Sequence, residues 1–149
     1  MNILIDTNII LEIILQREQC QEAKRLIASL HNGKHHLYVT LGGFYSLLFT
    51  VDKYFRKVLS MVDPLRTNSV RAVMTQVLAI VDVAGQDKQS LLAGIHDMNF
   101  NDLEDSCQHQ AALREHCDYL LTFNIKDFAG AVIPVLTPQQ FLTKMQLRP

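Results

Sequence analysis

Asp6 stands directly after a short apolar run, Asn2-Ile3-Leu4-Ile5, and before Thr7-Asn8. Ile3, Leu4 and Ile5 read as a central parallel strand buried on both faces. A carboxylate at the end of such a strand lies on the edge where open α/β sheets bind ligands. In that polar mouth its charge must be used or neutralised. Thr7 or Asn8 can cap the helix expected over residues 9–15. A second group of acids, Asp102, Glu104 and Asp105, opens a helix expected over residues 101–116. Asp102 and Asp105 are three apart and share a helix face. A third polar group, Thr122, Asn124 and Asp127, follows a strand expected at 119–121. If the two strands are parallel neighbours, Asp6 meets the Asn124/Asp127 turn at one sheet edge. Each residue also has a plainer role. Asp6 can merely cap a helix, Asp102 and Asp105 can answer the N-terminal helix dipole, and Glu104 can complete a capping box with Asn101. Asn124 and Asp127 can simply build a turn.

The elements that must position these groups follow from the pattern of the chain. Residues 19–30 are apolar at helical spacing (Ala23, Leu26, Ile27, Leu30) and end near Asn32-Gly33, a helix-stop signal. Residues 37–40 read as the second strand and 44–59 as a mostly apolar helix. Asn68 or Ser69 can cap a helix through 73–76, and the β-branched stretch 77–83 reads as the third strand. Residues 87–98 read as a helix with Leu91, Leu92 and Ile95 turned inward. A last short strand is expected at 133–136, where Pro134 suits a sheet edge. Thr137-Pro138-Gln139-Gln140 is a capping box for a final helix to about Met145. Strands alternating with helices predict an α/β fold, a three-layer α/β/α sandwich with a mainly parallel central sheet.

The 149 residues are 48% hydrophobic, enough for one globular domain over 1–149 with a real core. The formal net charge of −1 means that bulk positive charge cannot hold nucleic acid, so any such contact must be local. Cys20, Cys107 and Cys117 have no metal-type spacing, and an odd count favours reduced, cytosolic thiols. The apolar N-terminus is interrupted by Asp6 and Glu12, which argues against a signal peptide or a membrane span.

Several of these segments, taken in order, resemble the PIN domain family, in particular its VapC-like toxin ribonucleases. They are Ile3-Leu4-Ile5-Asp6-Thr7-Asn8-Ile9-Ile10, Leu37-Tyr38-Val39-Thr40, Asp102-Leu103-Glu104-Asp105-Ser106 with Ala111-Ala112, and the run from Asp118 to Phe128. The ending Ile133-Pro134-Val135-Leu136-Thr137-Pro138 with Phe141-Leu142 is similar to one subgroup. The resemblance implies a PIN-like fold and metal-dependent cleavage of single-stranded RNA with Mg²⁺ or Mn²⁺. It also implies a toxin paired with an antitoxin protein whose basic segment plugs the acidic pocket, and a homodimer. Hard divalent ions prefer oxygen ligands, lower the pKa of bound water and neutralise phosphodiester charge. On this reading Asp6 and Asp105 bind the metal. Asn124 takes the place of the family's last acid, and Asp127 supplies the missing charge. Asn8 and Thr122 orient carboxylates or waters. The family's usual glutamate after the second strand is absent: Thr40-Leu41-Gly42-Gly43-Phe44-Tyr45-Ser46 carries no acid, and Ser46 or Tyr45 is the nearest match. Glu104 can compensate if its side chain turns inward, with Asp102 beside it around the site. The absence also supports an alternative, a catalytically weak PIN-like module that binds RNA or protein.

Other candidates are weaker. His109, one turn beyond Asp105, is expected on a polar helix face. His31, His35 and His36 flank a solvated loop. Lys53, Arg56, Lys57, Arg66 and Arg71 form the basic region, a solvated face that could guide RNA phosphates. Tyr45, Phe49, Tyr54 and Phe55 suit core or dimer contacts better than base stacking. A phosphoryl-receiver role for Asp6 is disfavoured, because Asn8 stands where a second acid would be needed.

Overall fold

The computed structural model describes residues 1–33 and 35–146. Its sheet has the order β3-β2-β1-β4-β5, and every pairing is parallel. The strands are β1 (Asn2–Ile5), β2 (His36–Thr40), β3 (Asp82–Ala84), β4 (Tyr119–Leu121) and β5 (Val135–Leu136). The helices are α1 (Thr7–Ile14), α2 (Cys20–Asn32), α3 (Leu41–Lys57), α4 (Leu65–Leu78), α5 (Lys88–Ile95), α6 (Leu103–Arg114) and α7 (Pro138–Gln146). A 3₁₀ turn covers Ile125–Phe128.

β1 is central because Ile3, Leu4 and Ile5 need cover on both faces, and all three are fully buried or nearly so. Ile3 and Ile5 point to one side, into a core with Leu26, Leu30, Leu47, Val51 and Phe141. Leu4 points to the other side, against Ala111, Ala112, Phe100 and Phe128. Each of the larger apolar side chains among these contributes roughly 1.5–3 kcal/mol on burial. The alternation along one strand thus fixes the three layers. The capping box at Thr137 forms as expected: Thr137 N donates to Gln140 Oε1 (2.9 Å) and Gln140 N to Thr137 Oγ1 (3.2 Å).

The order of elements agrees with the sequence reading, while four of its details are corrected. The stretch 77–83 is not one strand: α4 runs from Leu65 to Leu78 and β3 is only Asp82–Ala84. Val70, Met74 and Val77 share one buried helix face, and that burial outweighs the strand preference of the valine. Helix α4 also begins before Asn68 and Ser69, which therefore do not cap it. On α5, Leu91, Leu92 and Ile95 are 41%, 45% and 50% exposed, not inward. The residue that packs α5 on α6 is Gly94. A Cβ there would lie 2.8 Å from Cys107 Sγ, and Ser106 Oγ donates to Gly94 O at 2.7 Å. The last strand is two residues long, and Pro134 contributes only its carbonyl, which accepts from Leu120 N at 3.0 Å.

Candidate active site

The parallel pairing of β1 with β4 brings the two strand ends together. Asp6 N donates to Leu121 O at 2.9 Å, so the residues after each strand emerge side by side. Asp6, rather than Thr7 or Asn8, caps α1: its Oδ1 accepts from Asn8 N at 3.4 Å. Its other oxygen accepts from Thr122 Oγ1 at 2.7 Å. That hydroxyl oxygen in turn accepts from Asn8 Nδ2 (3.2 Å) and from Asn124 N (3.0 Å). Asp6, Asn8, Thr122 and the Asn124 backbone thus form one network around a carboxylate that is only 9% exposed. Asn8 Oδ1, a buried acceptor, has no partner among the described residues.

Asp105 approaches from α6. Asp102 caps that helix, accepting from Glu104 N (2.8 Å) and Asp105 N (3.2 Å); this replaces the expected box between Asn101 and Glu104. Burial, and then the charges of Asp102, Asp6, Asp127 and Glu104, push the Asp105 carboxyl up to about 7. Burial also raises Asp6 above the usual carboxylate range, opposed by its bonds from Thr122 and Asn8 and reinforced by Glu104 and Asp127. These acids therefore repel one another across a shared space. The ion pairs among the described residues join Arg66 to Asp52 and Asp63, and Arg114 to Asp87; none reaches these acids.

Asp6, Asn8 and Thr122 are directly linked, while Asp105, Glu104, Asp102 and Asp127 lie within electrostatic reach and repel one another. Asn124 joins through its backbone, and its side chain is exposed. Ser46 is exposed on α3 and makes no hydrogen bond to the acids. What meets α1 from that helix is Gly43, where a Cβ would stand 2.9 Å from both Thr40 Oγ1 and Thr7 Cγ2. Gln108 escaped notice in the sequence; its Nε2 is 3.5 Å from Asp105 Oδ1, and its place three residues along the helix was the available signal. His109 is not on a polar face. It is 1% exposed, its Nε2 accepts from Val132 N at 3.1 Å, and burial lowers its pKa. Of the four aromatic residues, Phe55 is core, whereas Tyr45 and Phe49 are 60% and 66% exposed. Lys34, in the histidine-flanked turn, lies outside the described residues.

Among the described residues no three His, Cys, Asp or Glu side chains form a ready-made metal cluster. A hard divalent ion needs less than that, because Mg²⁺ commonly takes one or two carboxylates and keeps waters. The donor set fits such an ion: two mutually repelling carboxylates and an unpartnered amide oxygen, all oxygen atoms.

A wholly parallel sheet with a carboxylate network at the carboxyl ends of its central strands defines a class of α/β site proteins. Residues 2–126 match the PIN domain family model, and the chain belongs to the PIN domain family. Similar solved structures include VapBC2 from Rickettsia felis bound to a DNA fragment from its promoter. There the TM-score is 0.67 at 12% identity, over 92% of this chain and 98% of that one. VapBC-1 from nontypeable Haemophilus influenzae gives 0.63 at 17%, over 93% and 99%. A toxin-antitoxin complex from Klebsiella pneumoniae gives 0.60 at 22%, over 91% and 96%. No curated protein matches the sequence. Among the described residues no helix is long and apolar enough to cross a membrane.

Proposed function

We propose that this chain is a metal-dependent endoribonuclease of the PIN type that cuts single-stranded RNA and serves as the toxin of a toxin-antitoxin pair. The observation that carries the reading is the convergence of buried Asp6, bonded to Thr122, with Asp105, to neither of which any cation is paired among the described residues. Family membership supports the nuclease class, and the similar VapBC structures support an antitoxin partner.

Asp6 and Asp105 would hold Mg²⁺ or Mn²⁺, with Asn8 Oδ1 and Asp127 close by to contact its waters. The ion would supply charge neutralisation at the phosphodiester and a lowered pKa for an attacking water. The protein's share is positional. The Thr122 hydroxyl fixes one oxygen of Asp6, and the other carries only the 3.4 Å bond from Asn8 N. Asn8, held by Thr122, keeps its carbonyl oxygen free. Glu104 and Asp102 add negative charge that favours a dication.

Purified protein is incubated with mixed-sequence single-stranded RNA in Mg²⁺, Mn²⁺ or EDTA, beside the Asp6→Asn/Asp105→Asn variant. The expected result is cleavage that needs a divalent ion and falls at least about a hundredfold in the variant, as for loss of a principal electrostatic contributor. Equal cleavage by the variant would sink the site assignment. A second reading, a catalytically weak RNA- or protein-binding module, draws on the acid-free first turns of α3. Saturable RNA binding without turnover in any ion would favour it.

A further inference from the structure

Beside the acids lies a groove of about 340 Å³ that the cleavage chemistry leaves unused. One wall is the first turns of α3, with Leu41 and Tyr45; the other is α5 and α6, with Leu91, Glu104 and Gln108. Tyr45 is 60% exposed, and its hydroxyl makes no hydrogen bond among the described residues. Gly42 also lines the groove, and a Cβ built there meets nothing within 4 Å. A larger side chain at this lining position therefore meets no steric obstacle. The inner end opens onto the acidic mouth, since Gln108 reaches Asp105 and Glu104 raises the carboxyls of both Asp6 and Asp105.

We propose that this groove holds the unpaired nucleobase next to the cut phosphodiester, and that it selects guanine. This rests on the nuclease reading of the acids. The size is that of a ligand pocket, and the contents suit a base. Leu41, Leu91 and Tyr45 offer apolar and aromatic surface to a flat ring, the usual way in which single-stranded RNA is gripped. The groups at the inner end read the base edge. Glu104 only accepts hydrogen bonds. Guanine turns two adjacent N–H donors, N1–H and the N2 amino group, toward one carboxylate. Adenine and cytosine pair one amino donor with a ring acceptor that the carboxylate repels, and uracil sets its single N–H between two carbonyls. Gly42, without a side chain, leaves room for the base.

Two measurements test this. The first is fluorescence anisotropy of short single-stranded RNAs on the Asp6→Asn protein, with guanine, inosine or adenine at one position. Inosine lacks the N2 amino group. The second is sequencing of the wild-type cleavage products. Guanine RNA is expected to bind about tenfold tighter than inosine RNA, the value of one hydrogen bond to a charged group. Gly42→Leu and Tyr45→Leu, each added to Asp6→Asn, should weaken binding about tenfold or more. Glu104→Gln should erase the guanine-inosine difference. Because the Gly42 Cβ position is open and leucine is the better helix former, Gly42→Leu should melt at or slightly above the wild-type temperature. Wild-type cleavage with no preference for guanine, or with a pattern that Gly42→Leu leaves unchanged, overturns the base pocket and leaves the nuclease standing. Absence of both RNA binding and cleavage removes the nuclease reading and the pocket with it. A Gly42→Leu protein that loses a dimer in sedimentation while its cleavage pattern is unaltered makes the groove a protein interface instead.

Discussion

Asp105 is the residue whose charge the fold leaves least satisfied. Its carboxyl rises from the usual 3.8 to about 7. The folded chain therefore binds more protons than the unfolded chain between those values, and stability falls as pH rises through that window. The penalty is absent below about 4 and complete above about 7. Asp105→Asn should thus raise the urea midpoint at pH 8 and leave it unchanged at pH 3.5. An equal gain at both values would mean that the charge is not the source of the cost. A divalent ion should restore the wild-type protein at pH 8 and do little for the variant. The acids themselves stand out in the sequence because each follows or opens an element. The Thr122 hydroxyl as the hub, and His109 as a buried acceptor for a loop amide, do not, since both depend on partners more than twenty residues away.

At the scale of elements, α3 sets the shape of the mouth through two adjacent glycines with opposite surroundings. Gly42 faces open space, and Gly43 presses on Thr40 and Thr7. Gly42→Ala should stabilise by roughly 0.5–1 kcal/mol through helix propensity. Gly43→Ala should destabilise by about 1–3 kcal/mol, because its methyl group overpacks the contact with α1. Chemical denaturation of the pair checks the contrast, and two changes of the same sign would refute it. Helix α5 shows the same limit of sequence reading. Its leucines suggest an inward face, but α6 approaches so closely over Gly94 that the glycine makes the contact and the leucines remain half exposed. Helical spacing shows that a face is apolar, without showing whether a neighbour covers it. The extension of α4 through Val77 has a similar cause, since a face completed by tertiary burial overrode local strand preference.

Over the whole molecule, the net charge is −1, and the basic region is partly spent. Arg66 is tied to Asp52 and Asp63, which leaves Lys53, Arg56, Lys57 and Arg71. RNA affinity should depend weakly on salt. The slope of log K against log salt is expected to be shallower than about −2, which corresponds to fewer than about three phosphates. Anisotropy between 50 and 200 mM salt, on the order used for such slopes, measures it, and a steep slope would point to a phosphate track along α3 instead. The sequence by itself determined the layers and the order of the elements. The apolar triplet after Asn2 demands burial on both faces, and strands alternating with helices then close into a parallel sheet. It also placed acids at strand and helix ends. Tertiary structure alone decided which of them share a space. The pairing of β1 with β4 joins Asp6 to Thr122, 116 residues apart, and the packing of α6 on the sheet brings in Asp105. Ser46 stayed outside the hydrogen-bonded cluster for the same reason: a helix's periodicity fixes which residues share a face, but the direction of that face is set by the contact of Gly43 with α1.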